Sequence, residues 1–251
     1  MPAKLYVVHG SHPCAAVQRA LDLKGIPYKV VELPPPIHAP LQRLRFGQRT
    51  VPGIKFDDGE KVVGSRAILR RLEALAPEPA LLPAEPGLRA KAEEAERWGD
   101  EVLQRTARRL IWQGMQRHPA AIVSYGEHSS LPLPNVMARL SAPMIARVER
   151  RLNDASDEAT RADLAALPGY LDRVDGYIAD GVMGGDVLNV ADLQIAPTIR
   201  LMLTVGDARP LIDGRPCGEL ARRLFPDWDG DLPAGVFPPD WVPAPAALPA
   251  S

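Results

Sequence analysis

Residues 4–9 predict a short buried strand, with Leu5, Val7 and Val8 apolar and Tyr6 a good strand former. Gly10 ends that run. Ser11 then stands at the N-cap of a helix whose apolar face is Ala16, Val17, Ala20 and Leu21, with Gly25 as its stop. Residues 28–33 return to a strand, giving a βαβ unit with a right-handed crossover. A proline-rich connection, Pro34 to Pro40, leads into a basic stretch with Arg43, Arg45 and Arg49. Residues 50–56 predict a third strand, Asp57 to Glu60 a hairpin turn, and residues 61–63 an antiparallel fourth strand. Gly64-Ser65 opens a second helix, whose buried stripe is Ile68, Leu69, Leu72 and Leu75.

Pro77, Pro79, Pro83 and Pro86 mark a linker, and beyond it the strand signal stops. Residues 88–116 predict one long amphipathic helix with charge pairs such as Glu93–Arg97 and Glu101–Arg105. Residues 119–142 are expected to be irregular, broken by Pro132, Pro134 and Pro143. Helical patterns follow at 145–153, 159–167, 170–179 and 191–204, with a weaker one at 208–224. From Pro226 onward, Pro233, Pro238, Pro239, Pro243, Pro245 and Pro249 predict an extended or partly disordered surface tail. The expected fold is therefore α/β plus all-α, in the order β-α-β-β-β-α and then helices only. The boundaries read 1–78 for the α/β domain, 79–87 for the linker, 88–225 for the helical domain and 226–251 for the tail.

Composition narrows the function classes. Hydrophobic residues at 46% and charged residues at 24% fit a globular chain. Thirty Lys and Arg against 31 Asp and Glu give a net charge of −1, which points to neither nucleic acid nor an anionic membrane as partner. Met1-Pro2-Ala3-Lys4 lacks a basic region followed by a long apolar run, so a secretory signal is not expected, and no apolar run approaches the roughly 18–20 residues of a membrane span. A cytoplasmic protein is expected. Two cysteines, Cys14 and Cys217, cannot build a disulfide framework, and no metal-ligand spacing is present, so no metal is expected.

Four places could carry chemistry. In Ser11-His12-Pro13-Cys14, the N-terminal end of a helix stabilises an anion, and a thiolate near Ser11 would gain a hydroxyl hydrogen bond as well. The alternative is a plain N-cap serine beside a small buried cysteine. Val51-Pro52 opens a strand; with a cis bond it would offer the Val51 backbone to an extended peptide, although a trans bond is the commoner state. Gly64-Ser65 offers another N-cap hydroxyl suited to a carboxylate. Asn189-Val190-Ala191-Asp192 is a capping box whose purpose is to start a buried helix. His9, His38, His118 and His128 are scattered, Arg108-Arg109 reads as a solvated face, and Trp98 and Trp112 share one apolar stripe.

In this order, Ser11-x-x-Cys14, Leu21-Asp22-Leu23-Lys24-Gly25-Ile26-Pro27-Tyr28, Thr50-Val51-Pro52, Gly64-Ser65-Arg66-Ala67-Ile68 and Asn189-Val190-Ala191-Asp192-Leu193 resemble the cytosolic glutathione S-transferase superfamily. The resemblance extends to about residue 225. It implies a thioredoxin-like N-terminal domain holding a thiol peptide, a helical domain shaping the electrophile pocket, and a homodimer. By it, Ser11 corresponds to the catalytic serine of the tau- and zeta-like classes, and a cysteine-based disulfide exchange at that position is excluded. Val51 corresponds to the residue that pairs with the cysteinyl unit, Pro52 to a cis-proline and Ser65 to the serine that binds the γ-glutamyl carboxylate.

The chain also departs from that pattern. Gly64 replaces an acidic residue and Thr50 a lysine, which leaves Arg49 or Gln48 for the glycyl carboxylate. The thiol expected is therefore glutathione or another low-molecular-weight thiol, transferred to a small electrophile. The rival readings are a non-catalytic binding or scaffold protein of the same fold, and a redox protein using Cys14.

Overall fold

The computed structural model describes residues 2–131 and 135–245. Pro132, Pro134 and Pro249 lie outside the described residues. Four strands form the first layer: β1 (Ala3–Val7), β2 (Tyr28–Glu32), β3 (Gly53–Lys55) and β4 (Lys61–Val63), in the order β2-β1-β3-β4. β1 runs parallel to β2 with Leu5 opposite Val30, while β3 is antiparallel to both β1 and β4. Helices α1 (His12–Leu23) and α3 (Ser65–Leu75) pack together, and their buried faces join Leu5, Val7 and Ile54 in the core. This is the expected thioredoxin-like half.

The proline-rich connection holds a helix that the sequence reading missed, α2 (His38–Phe46). Tyr6 alternates with Leu5 and Val7 along β1, so it projects from the other sheet face, where its ring meets Phe46 edge-on at 5.3 Å. Only Gln42 of α2 is fully buried, so the helix carries almost no apolar periodicity to read. Gly53 makes room for it, since a Cβ there would come within 3.0 Å of the Phe46 ring.

The second domain is helical throughout, as expected, but its breaks differ. The long helix divides into α4 (Pro86–Trp98), a π-helical stretch Gly99–Leu103, and α5 (Gln104–Arg117). Gly99 lies against Ile195, where a Cβ would come within 2.8 Å. A π-helical turn shifts the face that later residues present. The expected Glu101–Arg105 pair is accordingly absent among the described residues. Trp98 meets Tyr170 and Tyr177, while Trp112 faces a cavity. Glu93 pairs with Arg89 and Arg70 rather than with Arg97.

Prolines lie inside three of the described helices without ending them, Pro197 in the helix expected at 191–204 and two at places where the sequence predicts a break. α6 (Asn135–Leu152) contains Pro143, so part of the stretch expected to be irregular is helical. α7 (Asp157–Ala179) runs through Pro168 as one helix rather than two. In each, a buried stripe continues across the proline: Ala142, Ile145, Ala146 and Glu149 in α6, and Leu164, Leu167, Leu171 and Val174 in α7. Burial of those faces outweighs one lost backbone hydrogen bond. Residues 119–126 form a 3₁₀ segment.

α8 (Val190–Met202) is almost wholly buried and starts at the expected box: Asn189 caps the Ala191 amide, and the Asp192 carboxylate accepts from the Asn189 N–H. It packs on α1, joining the two domains. α9 (Arg209–Ile212) and α10 (Pro216–Leu224) follow. The tail is not loose over its described part. Leu232 and Phe237 are buried, Leu232 bridges to Val205, and Asp207 accepts from the Gly235 and Phe237 amides. No helix of the described residues is long and apolar enough to cross a membrane.

Candidate functional site

A cavity of about 410 Å³ lies where the end of β1 and the start of α1 face α5, α6 and the 3₁₀ segment. The sequence places Ser11 at its rim by geometry alone: β1 delivers the chain to Gly10, which takes φ +72, and α1 begins one residue after Ser11. Ser11 is extended, and its side chain makes no capping bond to its own helix. Its carbonyl accepts from the Cys14 and Ala15 amides at 3.0 Å, while Pro13 has no amide. Among the described residues this leaves the His12 N–H as the free donor of the turn, fewer free amides than the sequence suggests.

Cys14 is 1% exposed and does not line the cavity. Burial pushes its thiol up to about 11, against weaker opposing pulls from the Ser11 hydroxyl and the Val8 backbone. It behaves as a small apolar core residue.

Val51 lines the same cavity, and its peptide bond to Pro52 is cis, as the resemblance implies. The Val51 N–H and C=O have no hydrogen-bond partner among the described residues. Pro52 is buried behind, and its carbonyl accepts from the Gly64 N–H at 2.9 Å. Arg49 and Thr50 line the cavity; the Arg49 guanidinium donates to the Leu152 carbonyl at 3.3 Å. Gln48, Gly64 and Ser65 do not line it. Gly64 is itself the N-cap of α3, at φ +89, so Ser65 is the first helical residue rather than the cap. The Ser65 hydroxyl is buried and donates to Gln194 Oε1 at 3.2 Å, across the domain boundary.

Several cavity residues escaped the sequence reading. Arg108 is half-buried rather than solvated and lines the cavity with Arg105, whereas Arg109 turns away to Asp163 at 3.4 Å. Burial lowers the Arg108 pKa, and its one hydrogen bond among the described residues goes to Gln104 at 3.4 Å. His12 is buried with its Nε2 unpartnered; burial first, then the Arg108 charge, hold its pKa well below the usual histidine range. On the opposite wall, Glu149 is 3% exposed and burial raises its carboxyl to about 7. His38 Nδ1 stands 3.7 Å from it, its own pKa lowered by burial.

Glu32 is already engaged, accepting from Ser129 and from the Ser130 amide and hydroxyl. His9 also lines the cavity and binds Asp229 of the tail. The signal for the α5 wall was present: Arg105, Arg108, Trp112 and Met115 recur at the 3-4-3 spacing of one helical face.

Residues 5–80 match the family described as glutathione S-transferase, N-terminal domain. Over most of its length the chain shares the fold of solved glutathione S-transferases. A maleylacetoacetate isomerase of Pseudomonas aeruginosa is 33% identical over 101 residues, which is 35% of this chain and 44% of that protein. The match to this curated relative therefore spans less than half of its length. A Tau class glutathione S-transferase from mango, Mangifera indica, is 16% identical, with 94% of this chain and 93% of that chain covered at a TM-score of 0.58. A theta class glutathione S-transferase from Xanthomonas axonopodis pv. citri, solved with glutathione bound, is 18% identical, with 86% and 85% covered at a TM-score of 0.51.

Proposed function

We propose that this chain transfers a low-molecular-weight thiol, glutathione or a close analogue, to a small electrophile in the cavity. The observation that carries the reading is the Ser11 hydroxyl, which makes no capping bond to α1 and touches that helix only at the Cys14 thiol among the described residues, at the rim of a cavity that Val51 also lines. In this reading the Val51 backbone pairs with the cysteinyl unit as an added strand, which delivers the sulfur to Ser11. The Ser11 hydroxyl and the His12 N–H donate to the sulfur and favour its anion, and the proton leaves to solvent. The thiolate then bonds to the electrophilic carbon while the leaving group departs with its electron pair. Met115, Ile111 and Trp112 supply an apolar wall for the body of the acceptor. A cytoplasmic homodimer is part of the same reading, and light scattering tests its oligomeric half.

A second reading, a binding protein without catalysis, rests on the γ-glutamyl end of the site. Gly64 supplies no carboxylate, and the Ser65 hydroxyl is held by Gln194. Calorimetric titration with glutathione, together with conjugation of 1-chloro-2,4-dinitrobenzene, separates the two. Binding with turnover supports the transferase, and binding without turnover supports the second reading. No binding of glutathione or of other cellular thiols would overturn the transferase.

A further inference from the structure

The transferase reading leaves the charge on the α5 wall without a task. Arg105 and Arg108 both line the cavity, one helical turn apart, and neither has a carboxylate within salt-bridge distance among the described residues. Their neighbour Arg109 does, at Asp163, and Arg66 and Arg70 are paired on the adjacent elements. Asp100 acts on Arg108 only from a distance, and it is already bonded to Gln194 and lies 3.9 Å from Arg66. The three carboxyls lining the cavity do not neutralise this wall: Glu32 is held by Ser129 and Ser130, the described contacts of Glu149 are with His38 and Asn153, and Asp154 has no ion pair with Arg105 or Arg108 among the described residues. His12, 3% exposed, adds an unpartnered Nε2 to the same lining. A half-buried guanidinium without a counter-ion is costly and gains from an anion that enters with the ligand. Further along the same helical face, Ile111, Trp112 and Met115 are apolar.

We infer that Arg108, supported by Arg105 and His12, is the seat of an anionic group on the electrophile, so that the favoured acceptors are small aryl or alkenyl carboxylates with an apolar body. The inference rests on the transferase reading and names the acceptor class for that site. With a chloronitrobenzoate as acceptor, the thiol sulfur bonds to the ring carbon, the carbon–chlorine bond breaks, chloride leaves with the electron pair, and the thiol proton passes to water. The carboxylate stays unchanged on Arg108.

The test compares 4-chloro-3-nitrobenzoate with its primary amide, using glutathione and dividing each kcat/KM by the uncatalysed rate. Wild-type protein should prefer the carboxylate by about tenfold or more, the scale of a charge-assisted hydrogen bond. Arg108→Met should bring the ratio close to one, and Arg108→Lys should restore part of it. Arg105→Met, on an exposed residue, should lower the ratio by at least about threefold and keeps the test open if Arg108→Met does not fold. A wild-type ratio near one, or one unchanged by these variants, overturns the inference. Should 1-chloro-2,4-dinitrobenzene also go unconjugated, the transferase reading fails on its own account. Calorimetry with 3-nitrobenzoate and 3-nitrobenzamide, without thiol, then decides the anion seat: an Arg108-dependent preference for the carboxylate supports it, and equal binding overturns it.

Discussion

Ser65 Oγ donates to Gln194 Oε1 at 3.2 Å, and through Gln194 Nε2 the link continues to Asp100 at 3.3 Å. Three elements of two domains thus meet in one polar chain, buried at Ser65 and Gln194 and half-buried at Asp100. The hydroxyl that the sequence assigns to a ligand carboxylate here joins α3 to α8.

Ser65→Ala should therefore act on stability. It leaves the buried Gln194 oxygen without its donor, at a cost of about 1–3 kcal/mol by chemical denaturation. Glutathione affinity should change by less than about threefold. A loss of tenfold or more in affinity, with stability intact, would return Ser65 to the ligand.

Cys14 should resist alkylation in the native protein. Its thiol is buried and raised to about 11, so the thiolate fraction at neutral pH is negligible. Mass spectrometry after iodoacetamide should find Cys14 modified only on denaturation. Modification at a rate typical of an exposed thiol would revive the redox reading.

Asp229 holds His9 at 2.7 Å and His128 through both its backbone amide and its ring. Burial alone would raise the Asp229 pKa, but the two histidines lower it overall; the Asp229 bond raises that of His128. The raised His128 contributes stability fully below its unfolded value of about 6.5, and loses it as pH rises through the folded value. The depressed Asp229 contributes above its unfolded value of about 3.9 and loses it as pH falls through the folded one. Asp229→Asn should lower Tm more at pH 5.5 than at pH 8.5. An equal Tm difference at both values would show that the clasp carries no such linkage.

The tail makes a further prediction. An ideal Cβ on Gly114 would lie 2.2 Å from Leu232 Cδ2. Gly114→Ala should cost about 1–3 kcal/mol by overpacking. Adding Leu232→Ala should recover part of that cost, because the obstructing methyl is removed, although Leu232→Ala alone costs about 2–5 kcal/mol. Strict additivity of the two changes would mean that the tail does not pack there in solution.

Elements with strong periodicity or a local signature were legible in the sequence. The β3–β4 hairpin, the Asn189 capping box and the position of Ser11 rest on residues close in sequence, and each element of the βαβ unit carries its own local periodicity. The cis bond at Val51–Pro52 was implied by the resemblance alone, since Val-Pro does not encode its isomer. What escaped depends on distant partners. α2 is held by Phe46 on Tyr6 rather than by its own apolar face, and the prolines of α6 and α7 are carried by burial against neighbouring helices. Arg108 looked solvated because charged residues on a helix usually face water, although it shares its 3-4-3 spacing with Trp112 and Met115 on one face of α5. Ser65 is the same lesson at the site, where its partner lies 129 positions away.

The role of Ser11 is tested most directly by titrating glutathione while it is bound, following the ultraviolet absorbance of the thiolate in wild-type protein and in Ser11→Ala. The bound thiol should ionise at least about one unit below the roughly 8.5 of a free cysteine thiol in the wild type, and return towards that value in the variant. Bound glutathione that ionises at the same pH in both proteins would contradict the account.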